Sequence, residues 1–318
     1  MKRSIKLLTI ASVIPLLVGC GQVRSPKFAK NGYKVDFNTF NNQMSEMLNT
    51  TVFADSGGIP SAKYVNTYKS HRKGEAKRGG KRLETAFQNE KSTKEYLYDS
   101  NNYVVLKKDN TSIKSGQYGK NVSEIERSKN KSEFYFQRYD SEDKTYIVAA
   151  DFKYKRFYKN TTVSNPEDIP GLIEDVFLDI ISGSIFYDLE YILDEYEDHA
   201  DEAEKAKYTF YRNENNFTIE YETSIDGESK DSEDKVYAHY NIKLTKKVQI
   251  TINHTKLAYK YYLTRNETNS YVSEHNSYAG GDVITLESSE SYDQTLEKND
   301  NSITPISLSG FAKYGTDW

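Results

Sequence analysis

Residues 236–244 read VYAHYNIKL. One parity holds Val236, Ala238, Tyr240, Ile242 and Leu244, and the other Tyr237, His239, Asn241 and Lys243. Side chains alternate across a strand, so this period of two predicts a β-strand with one buried and one solvated face. NFTIEYET (216–223), KVQITIN (247–253) and KLAYKYYL (256–263) repeat the pattern, and GDVITL (281–286) repeats it weakly. Antiparallel strands that pack on one face and meet water on the other read this way.

Working outward, the period of two also governs residues 62–159. YIVAADFKY (146–154) and EFYFQRY (133–139) alternate cleanly. KYVNTYK, KRLETAF, KEYLYD and NYVVLKK precede them, separated by turn-rich groups such as DSNN and KDNTS. Five to seven hairpin-linked strands are expected here. The 27 tyrosines and 14 phenylalanines against six prolines and one tryptophan suit the same class, because aromatic rings fit a half-buried pleated surface. Tyr259, Tyr261 and Tyr262 are read as part of such a surface.

Between the two strand sets lies SNPEDIPGLIEDVFLDIISGSIFYDLEYILDEYEDHADEAEK (164–205). Ile169, Leu172, Ile173, Val176, Phe177, Ile180 and Ile181 recur at helical intervals, followed by Ile185, Leu189, Ile192 and Leu193. Asn165 is placed to cap the helix, Pro166 falls where its missing N–H costs nothing, and Glu167 and Asp168 suit the positive end of the dipole. Gly183, between two serines, predicts a kink or a break. A shorter helix is expected in DFNTFNNQMSEMLNT (36–50), with Asp36 as N-cap. The order is therefore helix, strands, long helix, strands. It predicts an α+β fold in which one large curved antiparallel sheet holds helices on its concave face.

The first twenty residues carry a different message. Lys2, Arg3 and Lys6 precede an apolar stretch from Leu7 to Val18, too short to span a bilayer, and it stops at Cys20, the single cysteine of 318 residues. Leu17-Val18-Gly19-Cys20 resembles the lipobox of bacterial lipoproteins. That resemblance implies cleavage before Cys20, a diacylglyceryl group on its sulfur, and a protein held by acyl chains on the extracytoplasmic face of the cell membrane. The expected organisation is a signal peptide over 1–19, a tether over 20–34, a domain over 35–310 and a tail over 311–318.

Without Lys2, Arg3 and Lys6 the remainder has 40 basic side chains against 47 acidic ones, so nothing in the balance suits nucleic acid. With Cys20 acylated, no thiol is left for disulfides or thiolate metal sites. His71, His199, His239, His254 and His275 are scattered, with no zinc spacing. No nucleophile elbow or phosphate-binding loop is present, and neither a catalytic residue, a cofactor nor a metal is expected. The basic run KSHRKGEAKRGGKR (69–82) reads as an exposed hairpin loop, with an anionic-phosphate site as the sharper reading, and the acidic run around His199 as a solvated helix end.

The element order resembles the lipoprotein carriers and related envelope lipoproteins, whose curved antiparallel sheet wraps around helices as an unclosed half-barrel. That resemblance implies an apolar cavity for an acyl chain or other hydrophobic ligand. Ile173, Val176, Phe177, Ile180 and Ile185 on the long helix are the expected lining. A surface protein that binds another protein is the alternative.

Overall fold

A computed structural model describes residues 23–54, 58–119, 122–142, 144–182, 193–194, 196–198, 205–275 and 278–315. Thirteen strands form one open sheet in the order β1-β8-β9-β10-β11-β12-β2-β3-β4-β5-β6-β7-β13. The long ones are β2 (Ala62–Arg78), β3 (Lys81–Asp99), β4 (Val104–Gly119), β5 (Val122–Asp140), β9 (Asn216–Lys230), β10 (Val236–Asn253), β11 (Lys256–Tyr271) and β12 (Asp282–Lys298). The flanks are short: β1 (Tyr33–Val35) and β8 (Tyr208–Asn213) on one side, β6 (Thr145–Asp151), β7 (Arg156–Val163) and β13 (Ala312–Gly315) on the other. Every neighbouring pair is antiparallel except β13 with β7. The curved, unclosed antiparallel sheet with helices on its concave face is thus observed. Its two meanders, β2 to β7 and β8 to β12, meet along β2 and β12 through 17 residue pairs.

Two α-helices whose full length is described pack at one end of the concave face. Helix α1 (Phe37–Leu48) starts where the sequence predicts, with Asp36 Oδ1 accepting from the Thr39 N–H at 2.9 Å. It sets Phe40 edge-on to Phe217, 5.4 Å between centroids. Helix α2 (Ile169–Ser182) follows a 3₁₀ turn at Pro166–Asp168, where the Asn165 side chain accepts from the Glu167 N–H. Ile173 and Phe177 are fully buried, and Phe177 stacks on Tyr98 at 5.4 Å. Tyr64, Tyr96, Val105, Phe136, Ile219, Val248, Ile250 and Leu257 close the same core from the sheet side.

The convex face is crossed by both ends of the chain. Where composition predicts a loose tether, residues 23–31 form a strap over β12, β11, β10 and β9. Tyr262 donates to the Val23 carbonyl at 3.1 Å, Lys260 to the Lys27 carbonyl at 2.8 Å, and Gln249 Oε1 accepts from the Ala29 N–H at 2.7 Å. Residues 299–311 make a second strap over β2 to β7. The Ile303 N–H donates to Asp99 at 2.7 Å, Gln137 and Ile306 exchange two hydrogen bonds, and Phe311, Leu308 and Ile306 cover Val148, Ala150 and Phe157. The expected tail continues this strap into strand β13.

Beyond the helices the long strands run on as a single layer. Residues 123–131 of β5 are exposed on both parities, so backbone pairing and cross-strand contacts hold that stretch rather than a core. One contact stands out. Phe87, 1 % exposed, lies over its cross-strand partner Gly116, where an added Cβ would come within 2.6 Å of the ring and 2.8 Å of the Glu124 carbonyl. Gly116→Val is expected to displace Phe87 and cost about 1–3 kcal/mol, the usual range for overpacking. Equilibrium urea unfolding measures it, and an unchanged midpoint would show that the ring moves aside freely.

Candidate functional site

Past the end of the helix-filled core, the concave face of β9, β10 and β11 carries a strip of five apolar side chains set among Lys246, Thr223, Arg265 and Glu267. Cross-strand rows show how. In one row Ile219, Val248 and Tyr261 stand side by side under the helices. The next brings Tyr221, Lys246 and Leu263 together, the next Thr223, Leu244 and Arg265, and the next Ile225, Ile242 and Glu267. Tyr221 and Tyr261 still pack on the core, whereas Leu263, Leu244, Ile242 and Ile225 belong to no core cluster. Ile225 is 46 % exposed, and the other three are half-buried.

Polar groups punctuate this strip. The Lys246 ammonium lies 5.5 Å from the centre of the Tyr221 ring, and its side chain is buried. Thr223 is buried as well, and its Oγ1 has no hydrogen-bond partner among the described residues. A shielded hydroxyl with no partner costs about 1–3 kcal/mol. The strip runs about 13 Å along the strands between Tyr221 and Ile225. That suits an elongated apolar molecule with one polar end.

Four of the five residues expected to line a cavity are described, all on α2. Ile173 and Phe177 are wholly buried core residues, Val176 and Ile180 are half-buried against the same core, and Ile185 falls outside the described residues. Cys20, with Leu17, Val18 and Gly19, is also outside them. Tyr259 and Tyr261 face the core, while Tyr262 faces the other way and binds the N-terminal strap. Sequence reasoning passed over Thr223 and Leu263, yet the alternation in NFTIEYET and KLAYKYYL already placed both on the apolar parity.

The basic run is not a loop. It forms the β2–β3 hairpin, turning at Gly79 and Gly80, whose φ of +54° and +77° belong to the left-handed region that glycine tolerates. Four of its seven cations are ion-paired, through three carboxylates. Lys73 pairs with Glu287, Lys77 and Arg82 with Glu75, and Arg78 with Asp282 at 2.6 Å. The hydrogen bonds from Arg78 hold the Asp282 carboxyl below the usual range against its burial. Of the acidic run, Asp194, Glu197 and Asp198 are described, and His199 is not.

The tyrosines of the core end are perturbed. Burial pushes the Tyr98 hydroxyl up to about 12, helped by the charge of Glu174, and burial with the nearby Asp109 pushes Tyr96 further up. Both therefore stay neutral donors throughout the physiological range. His71 bonds Asn89 at 2.7 Å, His254 bonds the Thr50 carbonyl at 2.7 Å, and His275 stacks on Tyr237. Among the described residues no three His, Cys, Asp or Glu side chains are grouped to hold a metal ion.

No protein-family profile and no curated protein matches the chain. Among solved structures, one of lipid–protein interactions in lipovitellin aligns over 78 % of this chain and 27 % of its own, at 10 % identity and a TM-score of 0.31. A Pseudomonas aeruginosa FadL homologue aligns over 75 % of this chain and 90 % of its own, at 7 % identity and a TM-score of 0.15. Pseudomonas aeruginosa OccK2 (OpdF) aligns over 74 % and 97 %, at 5 % identity and a TM-score of 0.14. The chain thus spans about a quarter of the lipovitellin chain's length, and likeness at these scores carries no functional argument.

Proposed function

We propose that the protein is a lipid-anchored, extracytoplasmic binding protein that takes an acyl chain or another hydrophobic ligand on the concave face of β9 to β11. The observation that carries this reading is the apolar strip beyond the helices, with the unpartnered Thr223 hydroxyl set in it. Sheet faces that meet water on one side are normally polar there, and an apolar stretch of this kind is a binding surface by default. The anchor rests on the lipobox-like Leu17-Val18-Gly19-Cys20.

The test is native mass spectrometry with lipid extraction on the full chain purified from membranes. Wild type is expected to carry lipid. Leu244→Asp and Ile242→Asp, both at half-exposed positions, are expected to lose it while keeping a wild-type circular dichroism spectrum. Protein without lipid that also ignores an added fluorescent fatty acid would remove the ligand reading. For the anchor, Cys20→Ala is expected to leave the membrane fraction, and a variant that still sediments with membranes would end that part.

Binding of a protein partner keeps one observation in its favour. Strand β6 pairs with β5 only from Phe134 to Asp140, with one further bond from the Phe152 N–H to the Glu133 carbonyl, and β8 with β9 only from Asn216 to Tyr221, so among the described residues 122–132 and 222–230 have no strand paired on that side. Such an edge can accept an added strand. Its charged residues, among them Glu124, Arg127 and Lys129, are the usual protection against unwanted pairing, which weights the reading toward the hydrophobic ligand.

A further inference from the structure

On the convex face, three cross-strand rows span β2, β3, β4 and β5. They are Thr67–Thr93–Asn110–Lys131, Lys69–Lys91–Ser112–Lys129 and His71–Asn89–Lys114–Arg127. Of the twelve side chains, six are Lys or Arg and none is Asp or Glu. In a chain with 47 acidic residues against 43 basic ones, this block is anomalous. Two of its pairs, Lys69 with Lys91 and Lys114 with Arg127, set like charges directly opposite one another, an arrangement that costs stability in a sheet. Among the described residues none of the six makes an ion pair, and all but Lys114, whose ammonium sits 5.1 Å over Phe87, are exposed. Neither strap covers them.

A second group adjoins the block. The β6–β7 turn exposes Phe152 at 42 % and Tyr154 at 59 %, flanked by Lys153, Lys155 and Arg156. Arg156 lies 4.8 Å from the Tyr154 ring and 4.5 Å from that of Tyr314, itself 64 % exposed. Phe152 and Lys131 border one open cleft of about 450 Å³, which Glu95, Asp109 and Glu133 also line. Exposed aromatic rings among cations are the composition of a membrane–water interface.

The position of the N-terminal strap decides between anions. Val23 is fixed on this same convex face, its N–H donating to Ser289 Oγ at 3.3 Å, and Ser289 is the cross-strand neighbour of His71 in the block. Cys20 is three residues earlier, within about 11 Å of extended chain. An acyl anchor there brings the bilayer to the convex face and to the six cations, not to the open concave side.

We propose that this basic block and its aromatic corner form a docking surface for an anionic phospholipid bilayer, which orients the protein with its convex face on the membrane. The proposal rests on the reading of Cys20 as the anchor. Each cation near an anionic surface contributes about a factor of five, so Lys91→Gln with Lys129→Gln should weaken docking about thirty-fold.

The experiment uses the full chain, purified from membranes and placed in vesicles of phosphatidylcholine alone or with phosphatidylglycerol. An introduced thiol is followed with a membrane-impermeant maleimide. Asn110→Cys, exposed within the block, should label several-fold more slowly on the anionic vesicles than on the neutral ones. Ser128→Cys, exposed on the opposite face of β5, should label alike on both. Roughly 0.5 M salt, which cuts the screening length to about 4 Å, should abolish the difference, as should the double glutamine variant. Equal labelling of Asn110→Cys on both vesicles overturns the proposal, and so does protection by free polyphosphate but not by vesicles, which would mark a polymer site. Flotation separates the anchor from the docking. Protein that floats only with anionic vesicles, and only with Lys91 and Lys129 intact, supports docking and refutes the anchor, whereas protein that floats with neither refutes both.

Discussion

Phe177→Asp is expected to give a chain that does not fold, and Phe177→Ala one that is less stable by about 3–5 kcal/mol. The ring is 0 % exposed, stacks on Tyr98, and sits at the middle of the row Ile173, Phe177, Ile181 that α2 presents to the sheet. Alanine leaves a void that β3 and α2 cannot close, because both are held by their other contacts. Aspartate adds the cost of burying a charge in an apolar core. Urea denaturation followed by near-ultraviolet circular dichroism of the core tyrosines measures the alanine variant. A loss below about 1 kcal/mol would mean that α2 is peripheral and that the sheet is stable without it.

Asp99→Ala is expected to release the C-terminal strap and cost about 3 kcal/mol, since each buried donor left without an acceptor costs about 1–3 kcal/mol. The carboxylate is 1 % exposed and accepts from four groups: the N–H of Asn101, the N–H and side-chain amide of Asn102, and the N–H of Ile303. Burial disfavours its charge, but these donors outweigh burial and hold its pKa below the ordinary value. A carboxyl depressed on folding stabilises the native state fully above its unfolded value of about 3.9, and this contribution fades as pH falls through the lower folded value. The wild-type strap should therefore loosen in acid below about pH 4, and the alanine variant should lack that component. Hydrogen exchange of residues 299–311 reads both effects. Protection that is unchanged in Asp99→Ala would show that the apolar contacts of Ile306, Leu308 and Phe311 hold the strap unaided.

The sheet and its helix were legible wherever one face is buried and the other wet. VYAHYNIKL and NFTIEYET carry that contrast, and so does the helix from Ile169 to Ile181 with its Asn165 cap. Length was not legible. Strand β3 reads as two pieces, KRLETAF and KEYLYD, because the intervening Gln88 to Thr93 are polar on both parities. A single-layer sheet has no contrast between its faces, so its strands look like loops, and the basic run looks like one for the same reason. The polar ends of the chain misled similarly: residues 23–31 bind through their backbone groups, and 299–311 through backbone groups and a few separated apolar side chains such as Ile306, Leu308 and Phe311, which leave little periodic signal. The concave strip was visible in its alternation, but its exposure follows from where α1 and α2 end, and that is a tertiary fact. The basic block could not be read at all, because its cations come from four strands and meet only through register.

The two straps are also reciprocal. The N-terminal strap, β1 and α1 precede the first meander in sequence yet lie on the second, while residues 299–315 follow the second meander and lie on the first. Each half of the chain thus clasps the other, and between α2 and β8 the halves share one covalent connection. A protease cut within residues 183–204 would leave two polypeptides still joined by the 17 pairs of β2 with β12 and by both clasps. Such a nicked protein should migrate as one species until denatured. The two fragments, produced separately, are natural candidates for a split-protein reporter whose signal depends on reassembly.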